Sequence, residues 1–331
     1  MSYNLFSKNT SILIGVFFCF CLLLPACEEK KSTPVWQQET LTKPAAEALL
    51  YKKEPHQDYP PVRFLSYNLK NYLTMTTYKG GHESLRSKPS EETEAITNII
   101  TDAQPDILGI CEIGTQEDLT RLQKRLSHQG VHLPHTHITQ GADPVRSLAI
   151  LSRFPITEKP TVENLYYSID DSRLQMSRGI LDVTIQLPER KVRFLGAHLK
   201  SKRPSRRADQ EIMRRQEANL LRKHADSILT RDPQTQLIVY GDFNDTKRSH
   251  TLNTLRGRSR SPLSLSSIEI KDSRGETWTH YWNYEDIYSR FDYVMISPAT
   301  TRHINKKQSS ILDPDHWKKA SDHRPLLVII K

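Results

Sequence analysis

Acids, amides and imidazoles recur in this chain where short apolar runs stop. Asn68 follows FLSY, Glu112 follows DILGIC, and His198 follows VRFLGA with Lys200 two residues on. Asp242 and Asn244 lie in GDFND, residues 241–245, directly after QLIVY. Asp292 opens DYVMIS, and Asp322 with His323 precedes PLLVII. Strand ends are where rigid elements hand side chains to loops, and chemistry is often mounted there. The oxygen donors among these residues are capable of holding a metal ion. No Cys/His cluster has zinc spacing. A lone Asn or Asp at a strand end is more often a turn former. GDFND says more, because a D-x-N pair puts a carboxylate and an amide on one side of an extended segment. SDHRP is similar: Asp322 and His323 adjoin, and Pro325 limits the backbone. The recurrence, not any single residue, points to a built site.

The elements that must position these groups are short. Strand-like runs are Val62 to Tyr67, Asp106 to Cys111, Ser147 to Leu151, Ile180 to Leu187, Val192 to Ala197, Gln236 to Tyr240, Phe291 to Ile296 and Pro325 to Ile330. Helices are predicted over Glu91 to Thr101, Thr115 to Gln129 and Ala208 to Leu229. The first opens at Ser90 with S-E-E-T, acids in its first turn. The last has a partial apolar face of Ile212, Leu220, Leu221, Ile228 and Leu229. Strands outnumber helices and several are consecutive. The expected class is therefore α/β with packed sheets and helices outside, not a regular doubly wound sheet.

The 331 residues include 47 Lys plus Arg against 38 Asp plus Glu, a formal charge of +9. Only 12 Gly and 19 Pro exclude collagen-like and low-complexity classes. A mean hydropathy of −0.59 excludes a polytopic membrane protein. Length alone suggests about two domains, but the N-terminal part reads as something else. Ile12 to Leu24 has the length and character of a secretory h-region, after a segment whose only charge is Lys8. Leu24-Pro25-Ala26-Cys27 resembles a bacterial lipobox, which makes residues 1–26 a signal peptide and Cys27 the lipidated N-terminus. Glu28 after it points to outer-membrane sorting. Residues 27–60 are polar, Pro-punctuated and lysine-rich, a tether. Cys19 and Cys21 leave with the signal, and Cys111 alone cannot staple a fold. The expectation is one domain over 61–331, monomeric, extracytoplasmic and held to a membrane by lipid.

Taken in order from FLSYNLK to SDHRPL, the motifs resemble those of the endonuclease/exonuclease/phosphatase superfamily, the group of DNase I, AP endonucleases, neutral sphingomyelinases and inositol-phosphate phosphatases. The resemblance implies a DNase I-like, four-layered α/β sandwich: two packed mixed sheets flanked by helices, with the site at one end. It implies Glu112 as principal ligand of Mg²⁺ or Mn²⁺, with Asn68 and Asp322 near or in its shell. Asp292 would orient His323 as general base for the attacking water. Asp242 and Asn244 would hold the nucleophile and phosphate oxygens, and His198 would contact the phosphate or the leaving oxygen. Lys70, Lys200 and Arg178 (in SRGILDV) are candidate substrate contacts. AP endonucleases usually carry Tyr where this chain has His198 and an acid where it has Lys70. Both departures resemble the DNase I, sphingomyelinase and phosphatase branches.

Positive charge concentrates beside two of these motifs. Lys200 to Lys223 holds nine basic residues against three acids, and Lys247 to Arg260 holds five with none. A basic rim next to a phosphoesterase site would attract a polyanion; the same charges could lie against anionic lipid. Tyr281, Trp282 and Tyr284 could stack bases, although aromatic residues beside a strand are commonly core. Three readings follow: a membrane-tethered nuclease or phosphodiesterase, an enzyme of the same chemistry acting on phospholipid head groups or small phosphate esters, and a non-catalytic binding lipoprotein. The complete motif set with the basic rim supports the first, and the intact Glu112, Asp242, Asn244, Asp292 and His323 argue against the third.

Overall fold

The computed structural model describes residues 59–79 and 82–331. The expected signal peptide, Cys27 and nearly all of the tether lie outside the described residues. The site is framed by two six-stranded mixed sheets packed face to face. In the first, β1 (Val62–Tyr72) runs parallel to β4 (Ile107–Ile113) and antiparallel to β18 (Leu326–Ile330). Beyond β4 come β6 (Ser147–Ser152) and β5 (His135–Gln140), and β17 (Ser310–Ile311) closes the other edge. In the second, β11 (Lys191–His198) is parallel to β12 (Leu237–Asp242), with β10 (Ile180–Gln186) and β7 (Ile156–Glu158) on one side. β16 (Asp292–Ile296) and β13 (Ser266–Ser267) lie on the other. Three hairpins stand outside the sheets: β2 (Thr74–Lys79) with β3 (His82–Ser87), β8 (Tyr166–Ile169) with β9 (Ser172–Gln175), and β14 (His280–Trp282) with β15 (Ile287–Ser289).

Alternation along the strands builds the layers. Phe64, Ile107, Leu148 and Ile150 of the first sheet meet Val183, Phe194, Ile238 and Val294 of the second. The opposite faces take helices. Leu65, Tyr67, Leu108 and Ile110 pack on α1 (Ser90–Ala103) and α2 (Gln116–His128), while Leu195, Val239 and Met295 pack on α3 (Gln210–Arg231). Two short helices complete the described part, α4 (His250–Arg256) and α5 (Trp317–Ala320). The result is helix, sheet, sheet, helix, the four-layered sandwich expected. Within it Tyr240 needs two glycines: a Cβ on Gly109 would come 2.3 Å from its ring, and one on Gly196 2.8 Å from its hydroxyl.

Helix boundaries moved by a few residues. Ser90 is the first residue of α1, and Pro89 precedes it with no side-chain cap bond. Thr115 does cap α2, in a reciprocal box with Asp118. No helix among the described residues is long and apolar enough to cross a membrane.

Candidate active site

The same period of two that fills the core also delivers the polar groups. On β1, Phe64 points between the sheets, and so does Asn68 four residues later. On β11 and β12, His198 and Asp242 continue the inward series after Phe194 and Tyr240. Asp292 begins the inward series of β16 that continues with Val294. The register then aligns them, with His198 beside Asp242 and Asp242 opposite Asp292. Four core stripes thus end, at one rim, in polar residues.

Glu112 breaks the alternation. After Cys111 it should turn toward the helix side, but its φ is +63 and the register of β4 shifts between Cys111 and Ile113. This bulge re-aims the carboxylate into the mouth. Lys70, Asn71 and Asn244 also have positive φ, so backbone strain collects around the site.

The geometry centres on Asp242 Oδ2. Asn68 Nδ2 donates to it at 3.1 Å, His198 Nε2 lies 3.5 Å away, and His323 Nε2 lies 3.7 Å away. Behind His323, its Nδ1 is 2.7 Å from Asp292 Oδ2. Asn68 Nδ2 also reaches Glu112 Oε1 at 3.4 Å, while its Oδ1 accepts from Lys70 N. Glu112 Oε2 accepts from Asn71 N at 2.9 Å. Asp242, Asp292, His323, His198 and Asn68 are all buried; the Glu112 side chain is 17% exposed.

Charge follows from this crowding. Burial, and then the neighbouring acids Asp292 and Glu112, push Asp242 up to about 7 against the opposing pull of His323. Burial would lower His323, yet Asp292 and Asp242 outweigh it and raise the imidazole to about 10. His198 is driven well below the ordinary range by burial, then by Arg178, His323, Arg146 and Lys200. It is therefore neutral, and its Nδ1 is buried without a hydrogen-bond partner.

Other expected residues are placed less directly. Asp322 is half-buried and makes no hydrogen bond or ion pair with Asn68 or Glu112 among the described residues; its charge acts on His323 through space. Asp242 and Asn244 do not share one side of an extended segment, because β12 ends at Asp242 and Asn244 is left-handed. Asn244 instead gives its backbone N–H to Asp242 Oδ1 and its amide to Leu199 O. Lys200 turns its ammonium back onto Ser201 O and Arg203 O. Lys70 is exposed, and its charge is felt at His280. Arg178 lies 3.6 Å from Asp143, and its charge is felt at His198. The basic rim is thinner than the sequence suggests: Arg214 is buried against Asp245, and Arg222 against Asp226 and Leu255 O. Lys202, Arg203, Arg206, Arg207 and Arg215 remain exposed.

Several supporting residues that the sequence does not single out act on the site from a distance along the chain. Thr279 Oγ1 accepts from Phe291 N and Asp292 N, fixing the head of β16. Ser321 Oγ accepts from His323 N and donates to Asn68 O, joining the ends of β1 and β18; its place two residues before His323 is the hint it offered. His280 stacks on Phe291 and packs at a tilt against His323, ring centres 4.7 Å apart, and burial with the His323 charge pushes it down to about 4. Arg146 binds Asn71 Oδ1 at 2.7 Å and stands 3.9 Å from Glu112.

The oxygen-rich end of the site fits a divalent cation. The group whose ligand atoms lie within 4.8 Å of one another is Asp242, Asp292 and His323. Glu112 stands at the open side of that group, partly exposed, and offers hard carboxylate oxygens to a dication. Asn68 would join it by turning its amide oxygen, now on Lys70 N, toward the carboxylate. Two surface clefts of about 400 and 380 Å³, on the side of β17, contain none of these residues.

A sandwich of two mixed sheets with paired carboxylate–imidazole groups at one rim is the architecture of metal-dependent phosphoesterases. The Endonuclease/Exonuclease/phosphatase family matches residues 65–323, and the chain belongs to that family. Its members are phosphoesterase hydrolases that use divalent metals. Among solved structures the chain is similar to the human Nocturnin catalytic domain, at 19% identity and TM-score 0.56, over 82% of this chain and 94% of that one. Sphingomyelinase C from Streptomyces griseocarneus has 14% identity and TM-score 0.57, covering 82% and 100%. The mannosyl-6-phosphatase of Bacteroides thetaiotaomicron has 16% identity and TM-score 0.55, covering 82% and 100%. At such identities the likeness speaks for the fold. No curated protein matches the sequence.

Proposed function

We propose that this chain hydrolyses phosphodiesters with Mg²⁺ or Mn²⁺, as a lipid-anchored, extracytoplasmic nuclease. The convergence of Asn68, His198 and His323 on Asp242 Oδ2, with Asp292 behind His323, carries the reading. Glu112 with Asn68, and Asp322 nearby, would hold the cation, which when bound supplies charge neutralisation on the phosphoryl oxygens. A group can take a proton from water near neutral pH when its affinity lies close to that pH. Burial raises the Asp242 carboxyl toward such a range; burial lowers the His323 imidazole, but Asp292 with Asp242 outweighs it and raises the group. The Asp242 carboxyl and the Asp292-backed His323 imidazole, 3.7 Å apart, would together take the proton of the attacking water. Neutral His198 offers a hydrogen bond to the phosphate or the leaving oxygen. Asn244 orients Asp242 through its backbone N–H.

The exposed Lys202, Arg203, Arg206, Arg207 and Arg215 follow His198 along the chain and favour a polyanion. One observation favours lipid head groups as a second reading. Trp282, Tyr284, Ile287 and Tyr288 are exposed on the β14–β15 hairpin, contrary to the expectation that such aromatics sit in the core; Tyr281 alone packs inward, on Trp317 and Tyr288. A substrate panel decides: plasmid DNA, RNA, sphingomyelin vesicles, and bis- against mono-p-nitrophenyl phosphate. Salt-sensitive cutting of plasmid upholds the nuclease. Uncut plasmid with cleaved vesicles, lost in W282A/Y284A, replaces it with the lipid reading. Lipidation is tested by radiolabelled palmitate, which C27A should fail to incorporate.

A further inference from the structure

Two arginines stand beside the site with unspent capacity. Arg178, in the loop before β10, is 11% exposed, and its Nε is buried without a hydrogen-bond partner. Its nearest acid is Asp143, whose Oδ2 lies 3.6 Å from Arg178 Nε and 3.4 Å from Arg146 Nη1. The other Asp143 oxygen is already taken by the N–H groups of Val145 and Arg146, at 2.9 and 3.2 Å. One carboxylate oxygen therefore serves two guanidinium groups; Arg146 also stands 3.9 Å from Glu112, while Arg178 has no second acid within 4 Å among the described residues.

The two segments are locked in place. Asp143 N donates to Ser177 O and Ala142 N to Met176 O. Gly141 lies so close to the Arg178 loop that a Cβ there would come 2.4 Å from Gly179 N. Glu217, fully buried on α3, accepts from Ser177 N at 3.0 Å and from Lys200 N at 2.6 Å. This one carboxylate braces the loop of Arg178 against the segment that follows His198. Both arginines act on His198, while Glu112, Asp242 and Asp292 form the acidic part of the site. Such preorganised, partly desolvated guanidinium groups are suited to a phosphate.

We propose that Arg146 and Arg178 form a second anion subsite beside the scissile phosphate, and that the preferred substrates carry a second phosphate next to the ester that is cut. The subsite rests on the phosphoesterase reading for its place in the reaction, but its binding can be measured without turnover. Titration calorimetry with propane-1,3-diol monophosphate and bisphosphate on the full chain gives the two dissociation constants. The bisphosphate should bind at least about tenfold more tightly, the scale of one charge-assisted contact. R178Q should bring the two to within about twofold, R146Q should narrow the gap, and R178K should restore part of it. Circular dichroism of each variant checks folding. Equal affinities in the wild type, or a preference that survives R146Q/R178Q, would overturn the subsite. A chain that shows the preference but cleaves no phosphoester would overturn the phosphoesterase reading alone. The trinucleotide TpTpT and the phosphorylated dinucleotide pTpT, each compared with TpT, then tell a neighbouring diester from a terminal monoester as the source of the second phosphate.

Discussion

Asp292→Asn removes the negative charge behind His323 and keeps a hydrogen-bond acceptor of the same shape. Burial by itself would lower the proton affinity of that imidazole, and Asp292 is the largest of the opposing influences that bring it to about 10 against an ordinary 6.5. A tenfold change in affinity is about 1.4 kcal/mol, so the fold favours the imidazolium by something on the order of 5 kcal/mol. Removing one charge of a buried pair costs about 3–5 kcal/mol. The loss should depend on pH in a definite sense. The folded-state affinity is raised, so the stabilisation is fully present below the unfolded value of 6.5 and disappears as pH rises through about 10. Urea unfolding of EDTA-treated wild type and D292N should show a gap of about 3 kcal/mol near pH 6 that shrinks steadily toward about pH 10. Turnover should fall by about 10²–10⁴ because the proton-carrying groups lose their alignment. A gap that is constant from about pH 6 to about pH 10 would refute the electrostatic reasoning. Wild-type turnover in D292N would refute the site.

Chelation with EDTA should stop hydrolysis, and Mg²⁺ or Mn²⁺ should restore it; Mg²⁺ should also raise the melting temperature of the wild type but not of E112Q, read by scanning calorimetry. Gly109→Ala places a methyl 2.3 Å from the Tyr240 ring and should cost about 1–3 kcal/mol in chemical denaturation. Arg324 and Asp272 form a fully buried pair at 2.7 Å, so Arg324→Leu should cost about 3–5 kcal/mol, and adding Asp272→Leu should recover most of it.

Much of the candidate site was legible because strand ends are legible. Asn68, His198 and Asp242 terminate apolar runs whose alternation fixes which way the last side chain points, and parallel or antiparallel register does the rest. Glu112 was recognised by its motif, not by its pattern: alternation sends it outward, and only the left-handed backbone at the bulge returns it. Arg146, Thr279, His280 and Glu217 were missed for a common reason. Each acts across a gap of many residues, Glu217 on Ser177 and Thr279 on Asp292, and no local periodicity encodes such a contact. The basic stretch misled in the opposite direction. Lys200 to Lys223 reads as a solvated rim, yet helical geometry turns Arg214 and Arg222 inward onto Asp245 and Asp226.

By itself the sequence determined the elements, the two alternating sheet faces and the identity of the groups at their ends. These follow from short-range sterics and from the exclusion of apolar side chains from water. Proton affinities and the partners of charges belong to the tertiary structure alone. Asp242 is an ordinary carboxylate in the chain; it becomes a group that titrates near neutrality only when β1, β11, β16 and the approach to β18 enclose it with Asn68, His198, Asp292 and His323. Energies of that kind depend on distance and burial between residues far apart along the chain, and folding sets both.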